Sequence, residues 1–306
     1  MTPESRPEQG MAFDLTPRAK FRIAGEDRLR FLNGQISNDL RKASDWAAIH
    51  ACVLTAKGKI NADIFVVADG ASFLIDTDAE QRERLAVRVE RYVIADDVQI
   101  EDVTDEFALF HIIGGEAWRS FPAAKLTTSE RFGRAGKDVW LKRGEHDAAL
   151  QALATQMPVP DEQTAETFRI ERGIPRWGLE LTDEIIPTEA NLESSAIDYS
   201  KGCYIGQEVI SRIKMSGQTN KRLCGLVPVC DAPLVAGMRL FTAAPEAKEV
   251  GWITSTTVSP RVGKQIALGF LKRGFQTIGT RLDARMVENA NSGMAAGLEI
   301  VPLPFV

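Results

Sequence analysis

Short runs of alternating apolar and polar residues, with a few longer runs at helical spacing, dominate the chain. In residues 27–40, DRLRFLNGQISNDL, apolar side chains recur every three or four positions, which predicts a helix capped by Asp27. Residues 46–78 contain three apolar runs separated by turns at Lys57-Gly58 and Asp69-Gly70. This pattern predicts a three-stranded meander.

The same two patterns continue toward the C-terminus. A second helix is predicted from about residue 79 to 93, and Thr164 is the predicted cap of a later helix, TAETFRIERG. Residues 176–200 contain no clear periodic element, and a long irregular stretch in a compact protein is often functional. From residue 221 onward, short β runs separated by turn residues predict a small barrel or sandwich. Helices that follow strand pairs indicate an α+β fold.

Length and composition describe an ordinary globular chain. The 306 residues have a net charge of −5, with 44% hydrophobic and 26% charged residues. No apolar run reaches the roughly 18 residues of a membrane span. We expect a flexible leader at residues 1–18, a mixed region at 19–222 and a barrel at 223–306. The polar N-terminus resembles no targeting signal, so the expected compartment is the cytoplasm.

Cysteine and histidine usage argues against disulfides and structural metal. The four cysteines form no C-x-x-C pair, and the three histidines are scattered. His50 and Cys52 share one face of a predicted strand, but a structural zinc site wants four ligands. We therefore expect free thiols and no resident metal.

The segment KGCYIGQE, residues 201–208, combines Lys201, Cys203 and a predicted helix start after Gly206. A nearby lysine and a helix N-terminus both favour a thiolate, which predicts a reactive or ligand-facing thiol at Cys203. Cysteine is also among the residues most often buried, and on spacing alone a buried, inert thiol is the more common outcome. Both readings stay open at this point.

The stretch from Lys201 to Arg222 carries five basic residues and one acidic residue, which gives +4 in a chain of net −5. Such a patch can meet an anionic partner, although a solvated face is its more usual role. Only Tyr204 is available for base stacking, so we do not expect direct nucleic-acid binding.

Two carboxylates are candidates for chemistry. Glu189 lies in the irregular stretch, where its oxygens could accept hydrogen bonds from an amino-substituted heterocycle such as a pterin. Asp63 lies on the same strand face as Asn61. A solvated loop glutamate and a solvent-facing strand aspartate are the simpler alternatives for these two residues.

Several blocks together resemble one known family. KGCYIGQE resembles the signature of the YgfZ proteins, a branch of the superfamily that includes GcvT, the aminomethyltransferase (T-protein) of glycine cleavage. The supporting blocks, spread over residues 20 to 275, are FRIAGEDRLRFLNGQISNDL, AKGKI, RIERGIPRWGLEL, IPTEANL, GWITSTTVSP and IALGFLKR.

The resemblance implies a GcvT-like ring of two interwoven α/β domains plus a C-terminal β-barrel around a central folate cavity. It implies tetrahydrofolate, or another reduced folate, as the cofactor, and Cys203, Lys201 and Asp63 as catalytic residues. The expected folate-binding residues are Glu189, Tyr204, Arg169, Asn191, Gly206, Gln207, Glu208 and Arg212.

The family resemblance also implies a role in assembling or repairing iron–sulfur clusters of client enzymes, such as a tRNA-modifying enzyme. The protein would then handle a transient iron–sulfur species. Its expected partners are client enzymes or assembly proteins, and we expect a monomer without membrane attachment. T-protein relatives have two adjacent acids in the block where this chain reads Gly58-Lys59-Ile60-Asn61-Ala62-Asp63, which has one acid, and they lack a cysteine at position 203. Both departures argue against glycine cleavage and for the YgfZ branch.

Two other functions stay open. One is a folate-dependent aminomethyltransferase or methyltransferase that depends on Asp63. The other is an interaction module without folate, which docks through the basic stretch at residues 201–222.

Overall fold

The computed structural model describes residues 10–229, 232–243, 247–286 and 296–306. These residues form two compact units that are interleaved along the chain. The first unit takes the described residues through Ala56, then Asn61–Glu162 and Ser195–Gln207. The second unit takes Lys57–Ile60, Gln163–Ser194 and the described residues from Glu208 onward. No helix in the described ranges is long and apolar enough to cross a membrane.

The first unit contains two antiparallel sheets. Its strands are β1 (Met11–Asp14), β2 (Ala19–Ala24), β3 (Ile49–Leu54), β4 (Ile60–Asp69), β5 (Ser72–Thr77), β6 (Gln99–Asp102), β7 (Phe107–Ile113), β8 (Lys125–Ser129) and β9 (Gly136–Lys142). The described strands form one sheet in the order β3-β4-β5-β2-β6 and another in the order β1-β7-β9-β8. Its helices are α1 (Arg28–Gln35), α2 (Arg82–Glu90) and α3 (His146–Ala154).

Apolar burial explains how these elements pack. Phe31 and Leu32 of α1, with Leu85 and Val89 of α2, join one core with the five-stranded sheet. A separate cluster includes Val67 and Leu74 from that sheet with Leu109 and Trp140 from the other. Because successive side chains of a strand point to opposite faces, the five-stranded sheet is buried on both faces, and β5 and β7 are buried at every residue but the first.

A buried ion cluster accompanies this apolar contact. The Arg131 guanidinium donates to Asp76 on β5 at 2.6 Å and to Asp138 on β9 at 2.9 Å. His111 Nδ1 lies 2.7 Å from Asp138. Burial opposes ionisation of Asp138, but the Arg131 charge outweighs it and holds the pKa of Asp138 below its usual range.

The second unit contains helices α4 (Glu162–Glu171) and α5 (Gln207–Ser216), which begin at or beside its boundary, and a barrel. The barrel strands are β10 (Lys221–Pro228), β11 (Arg239–Thr242), β12 (Glu249–Ser259), β13 (Lys264–Lys272), β14 (Arg281–Arg285) and β15 (Ala296–Val301). As far as the described residues extend, they close in the order β10-β13-β12-β11-β14-β15. The barrel interior is apolar, with Leu226, Leu240, Val250 and Leu298 among its buried side chains.

Most sequence-predicted elements are confirmed, including the α+β class, the meander and the barrel. β10 begins at Lys221, beside the boundary predicted near residue 222. The helix predicted over residues 27–40 ends at Gln35, because the chain becomes extended at Ile36. Thr164 does not cap α4, since the helix already begins at Glu162.

The flexible leader predicted at residues 1–18 needs a correction. Its first nine residues lie outside the described ranges. Met11–Asp14 is strand β1, paired with β7, and Ala12 and Phe13 are buried. Flexibility is therefore the wrong prediction for these four residues, because their burial in the four-stranded sheet fixes them.

Candidate functional site

Cys203 is a free, exposed thiol in the first unit. It lies in the segment Ser195–Gln207, which has no regular secondary structure before α5 begins. The other described cysteines, Cys52 and Cys224, are buried, and burial raises the pKa of each thiol, to about 11 for Cys224. Among the cysteines in the described ranges, Cys203 is therefore the one whose thiol is accessible to solvent.

Lys201 anchors this segment. Its side chain is buried, with the residue 5% exposed, and its ammonium donates to the carbonyl oxygens of Asn33 at 2.6 Å, Ile36 at 2.7 Å and Asn38 at 2.8 Å. These three bonds use the three hydrogens of an ammonium group. Burial lowers the pKa of Lys201 to about 8. Lys201 therefore fixes the segment to the end of α1 and to the chain that follows it.

Further bonds fix the backbone around the thiol. The N–H groups of Asp198 and Ile205 donate to the carbonyls of Ser37 and Gly34, at 3.0 and 3.2 Å. The Lys201 ammonium also lies 5.0 Å from the centre of the buried Tyr204 ring. The segment consequently holds Cys203 between two buried side chains while the thiol itself stays exposed.

α5 begins after Gly206, as predicted, but Cys203 lies farther from the helix start than the sequence suggested. Gly206 has φ of 88°, a left-handed conformation that glycine accepts without strain, and α5 begins at Gln207. A turn from Tyr204 to Gln207 separates Cys203 from the helix. Since the dipole effect is confined to the first turn, its influence on Cys203 is weaker than for a thiol at the cap position.

The remaining signature residues lie on or beside the first turns of α5. Gln207 Nε2 donates to the Gly202 carbonyl at 3.4 Å. Glu208 and Arg212 are exposed and pair with each other at 2.6 Å, one helical turn apart. Exposed pairs of this kind contribute little to stability.

Asp63 lies on β4 and contacts a residue that sequence reasoning did not connect with it. His50 on β3 places Nε2 2.5 Å from Asp63 Oδ1, and its ring stacks on Phe65 with centres 4.6 Å apart. The position before Asp63 is Ala62, which is fully buried. In residues 60–64 of β4, Asp63 is therefore the one carboxylate, and it already has an imidazole partner.

In the second unit, Glu189 lies on a 3-10 turn, Pro187–Ala190. The residue is 4% exposed, and burial raises the pKa of its carboxyl group. The Ile186 N–H donates to Oε2 at 3.1 Å, and Lys221 Nζ lies 3.6 Å from the same oxygen. Both contacts involve Oε2, and Oε1 takes part in neither of them.

Unused polar atoms surround Glu189. Thr188 Oγ1 and Asn191 Oδ1 are buried and have no hydrogen-bond partner among the described residues. Asn191 ends the turn with φ of 61°, and its Nδ2 donates to the Leu223 carbonyl at 3.0 Å. Buried polar atoms normally have partners, so this group of atoms suits a ligand that supplies hydrogen bonds.

Lys221 also connects this turn with aromatic rings of the barrel. Its ammonium lies 5.7 Å from the centre of the Trp252 ring and 5.9 Å from that of Phe270. The sequence placed Lys221 only in the basic stretch at residues 201–222 and gave Trp252, in the block GWITSTTVSP, no role in a site.

Arg169 has a structural environment. Its five N–H hydrogens donate to Glu166, Glu180, Ser255 and the Ile174 carbonyl, at 2.5 to 3.0 Å. A guanidinium has five N–H donors, so none is left for a cofactor. We therefore assign Arg169 to holding α4 against residues 174–180 and β12, in place of the folate contact that the sequence suggested.

Glu171 is a second buried carboxylate in this unit. It ends α4, is 2% exposed, and accepts a hydrogen bond from Ser259 Oγ at 2.5 Å. Because it is buried and accepts a hydrogen bond, as Glu189 does, Glu171 is the control residue for Glu189.

The basic stretch at residues 201–222 is partly neutralised. Lys201 is buried, Arg212 pairs with Glu208, and Arg222 Nη2 lies 2.5 Å from Glu193. Within the described ranges, no group of three or more His, Cys, Asp or Glu side chains could hold a metal ion. Among the predicted site residues, Lys201, Cys203 and Tyr204 lie together, as do Glu189 and Asn191, while Asp63 contacts His50, which was not a predicted site residue.

Comparisons with known proteins agree with the fold. Residues 6–130 match the GCVT N-terminal domain, and residues 221–306 match the glycine cleavage T-protein C-terminal barrel domain. The crystal structure of glycine cleavage system aminomethyltransferase T from Bartonella henselae is similar over 97% of this chain and 86% of that one, with a TM-score of 0.84 at 18% identity.

Two kinds of curated relative are similar in sequence. The aminomethyltransferase of Rubrobacter xylanophilus is 26% identical over 96% of this chain and 82% of its own length. The mitochondrial iron-sulfur cluster assembly factor IBA57 homolog of Pyricularia oryzae is 30% identical over 68% of this chain, and the match spans 55% of that protein. Residues 6–130 and 221–306 thus carry the N-terminal and C-terminal domains of the glycine cleavage T-protein superfamily.

Proposed function

We propose that this protein binds a reduced folate and supports the assembly or repair of iron–sulfur clusters in client enzymes, with Cys203 as its functional thiol. The observation that carries the proposal is the exposed thiol on a segment that the buried Lys201 fixes in place. A flexible thiol would need no such anchor. The similarity to an iron-sulfur cluster assembly factor supports the same direction.

Cys203 would act as a single thiolate. One cysteine cannot hold a cluster, which usually takes four thiolates, so any iron–sulfur species is shared with a partner or passed on. The expected partners are therefore assembly proteins or client enzymes, a tRNA-modifying enzyme among them. We expect a cytoplasmic monomer that handles the cluster as cargo.

The folate would contact the turn that carries Glu189. A pterin offers an amino group and a ring N–H, which suit the unused Oε1 of Glu189 and the unpartnered Asn191 Oδ1. Lys221 and the Trp252 ring supply a cation and a flat apolar surface beside that turn. A bound reduced folate would supply one-carbon or redox chemistry, and the residues named here would bind and orient it.

A second candidate is a folate-dependent aminomethyltransferase or methyltransferase. The similarity to aminomethyltransferases over 96% of the chain favours it. Against glycine cleavage itself, residues 58–63 contain one acid, Asp63, where T-protein relatives have two, and Asp63 is already engaged by His50. This candidate predicts turnover with tetrahydrofolate that is lost in Asp63→Asn and kept in Cys203→Ala.

An experiment on the maturation of a client enzyme distinguishes the two candidate functions. In a host that lacks its own homologue, the intact chain should restore the activity of a [4Fe–4S] client enzyme, and Cys203→Ala should abolish the restoration. Ser200→Ala, a change at an exposed neighbour, is the matched control and should restore activity fully. Full restoration by Cys203→Ala at normal protein level would refute the role of the thiol.

A further inference from the structure

A carboxylate, an imidazole and a hydroxyl form a continuous hydrogen-bonded array in the first unit. Asp63 Oδ1 lies 2.5 Å from His50 Nε2, and His50 Nδ1 lies 3.2 Å from Ser195 Oγ. Asp63 and His50 are half-buried, whereas Ser195 is exposed. The hydroxyl at the end of the array is therefore the part that an external molecule can reach.

The contacts of His50 fix which nitrogen carries the proton. An ionised carboxylate only accepts hydrogen bonds, so Nε2 donates to Asp63. The lone pair of a neutral ring then lies on Nδ1, where it accepts the Ser195 O–H. The stacking of the ring on Phe65, with 5° between the planes, prevents it from turning away. His50 is thus oriented as a base toward the hydroxyl.

The backbone on both sides of the array is held as well. Asn38 Nδ2 donates to the carbonyls of His50 and Ser195, at 2.8 and 3.3 Å. Ser37 Oγ donates to the Ala196 carbonyl at 2.6 Å and accepts from the Cys52 N–H at 2.8 Å. Ser37 and Asn38 therefore join the strand that carries His50 to the segment that carries Ser195. Such support preorganises a reactive geometry.

We propose that Ser195 is an activated hydroxyl that takes up the electrophilic group of an activated ester, with His50 as its base and Asp63 as the positioning residue. In this step, Ser195 Oγ forms a bond to the acyl carbon or phosphorus while the bond to the leaving group breaks. The serine proton passes to His50 Nδ1 and from there to the leaving group. No oxidant or reductant takes part. The proposal is independent of folate and of Cys203.

The test uses diisopropyl fluorophosphate on the full chain, since this reagent phosphorylates activated serines and releases fluoride. Trypsin cleaves after Arg176, Lys201 and Arg212, so Ser195 and Cys203 fall in different peptides, residues 177–201 and 202–212. Fragmentation of the first peptide distinguishes Ser195 from Ser194. We expect one phosphoryl group per chain at Ser195.

Variants test each member of the array. General-base assistance is worth about 10²- to 10⁴-fold. We therefore expect His50→Gln to slow labelling at least ~100-fold, and Asp63→Asn to slow it and change its pH profile. The exposed neighbour Ser194 supplies the control, because Ser194→Ala should label at the normal rate. Absence of labelling at Ser195, equal labelling of Ser194, or an unchanged rate in a folded His50→Gln would each overturn the proposal.

Discussion

Replacing Lys201 by methionine tests the anchor of the Cys203 segment. Methionine is one atom shorter than lysine and lacks the ammonium that donates to three carbonyls, and the residue is only 5% exposed. Each lost hydrogen bond is worth about 1 kcal/mol net, since the carbonyls are left without a partner. Part of this loss is offset, because the ammonium no longer has to be buried. We expect a decrease of roughly 2–3 kcal/mol in the free energy of unfolding.

The assay is urea unfolding at neutral pH, followed by circular dichroism, with hydrogen exchange of the amides at residues 198–205. Exchange there should accelerate in Lys201→Met, because the segment loses its tether. Lys214→Met, which removes an exposed lysine on α5, is the control and should change stability by less than about 0.5 kcal/mol. A loss below about 1 kcal/mol, combined with unchanged exchange, would contradict the anchor.

Two further predictions concern buried and titrating ion pairs of the first unit. Arg131→Leu should destabilise the protein by about 3–5 kcal/mol in urea unfolding, because it removes the cation between the buried Asp76 and Asp138 and leaves only Arg18 at Asp76 and His111 at Asp138; a loss near zero would show that the cluster is dispensable. The hydrogen bond to Asp14 raises the pKa of His146, so this pair stabilises the protein below the unfolded pKa of about 6.5, and its contribution disappears as the pH rises through the folded pKa. The difference in unfolding free energy between the natural chain and His146→Ala should therefore be larger at pH 6 than at pH 9, and a difference that grows with pH would be the wrong sign.

Local patterns in the sequence predict most of the fold. The meander and the barrel follow from alternating apolar runs and turn glycines such as Gly58 and Gly70, both of which have positive φ. β8 was missed because KLTTS has only one large apolar residue, and β1 because four residues give too short a pattern. Such strands depend on their neighbours in the sheet more than on their own sequence.

The site was harder to predict because it depends on contacts between distant residues. Lys201 reaches carbonyls more than 160 residues earlier in the chain, and His50 meets Ser195 across 145 residues. No spacing rule reports such pairs. Arg169 was expected to bind folate, but its five donors are used within the protein. The KGCYIGQE segment predicts a functional thiol, but only the structure shows that Lys201 is buried and that Cys203 is exposed.

Calorimetric titration with tetrahydrofolate tests the central proposal most directly. The account predicts saturable binding by the intact chain and at least ~10-fold weaker binding by Glu189→Gln, which keeps the size of the side chain but removes its charge and one acceptor. Glu171→Gln, at another buried carboxylate of the second unit, shows whether the effect belongs to Glu189. No binding by the intact chain, or equal binding by Glu189→Gln, would contradict a folate held at this turn.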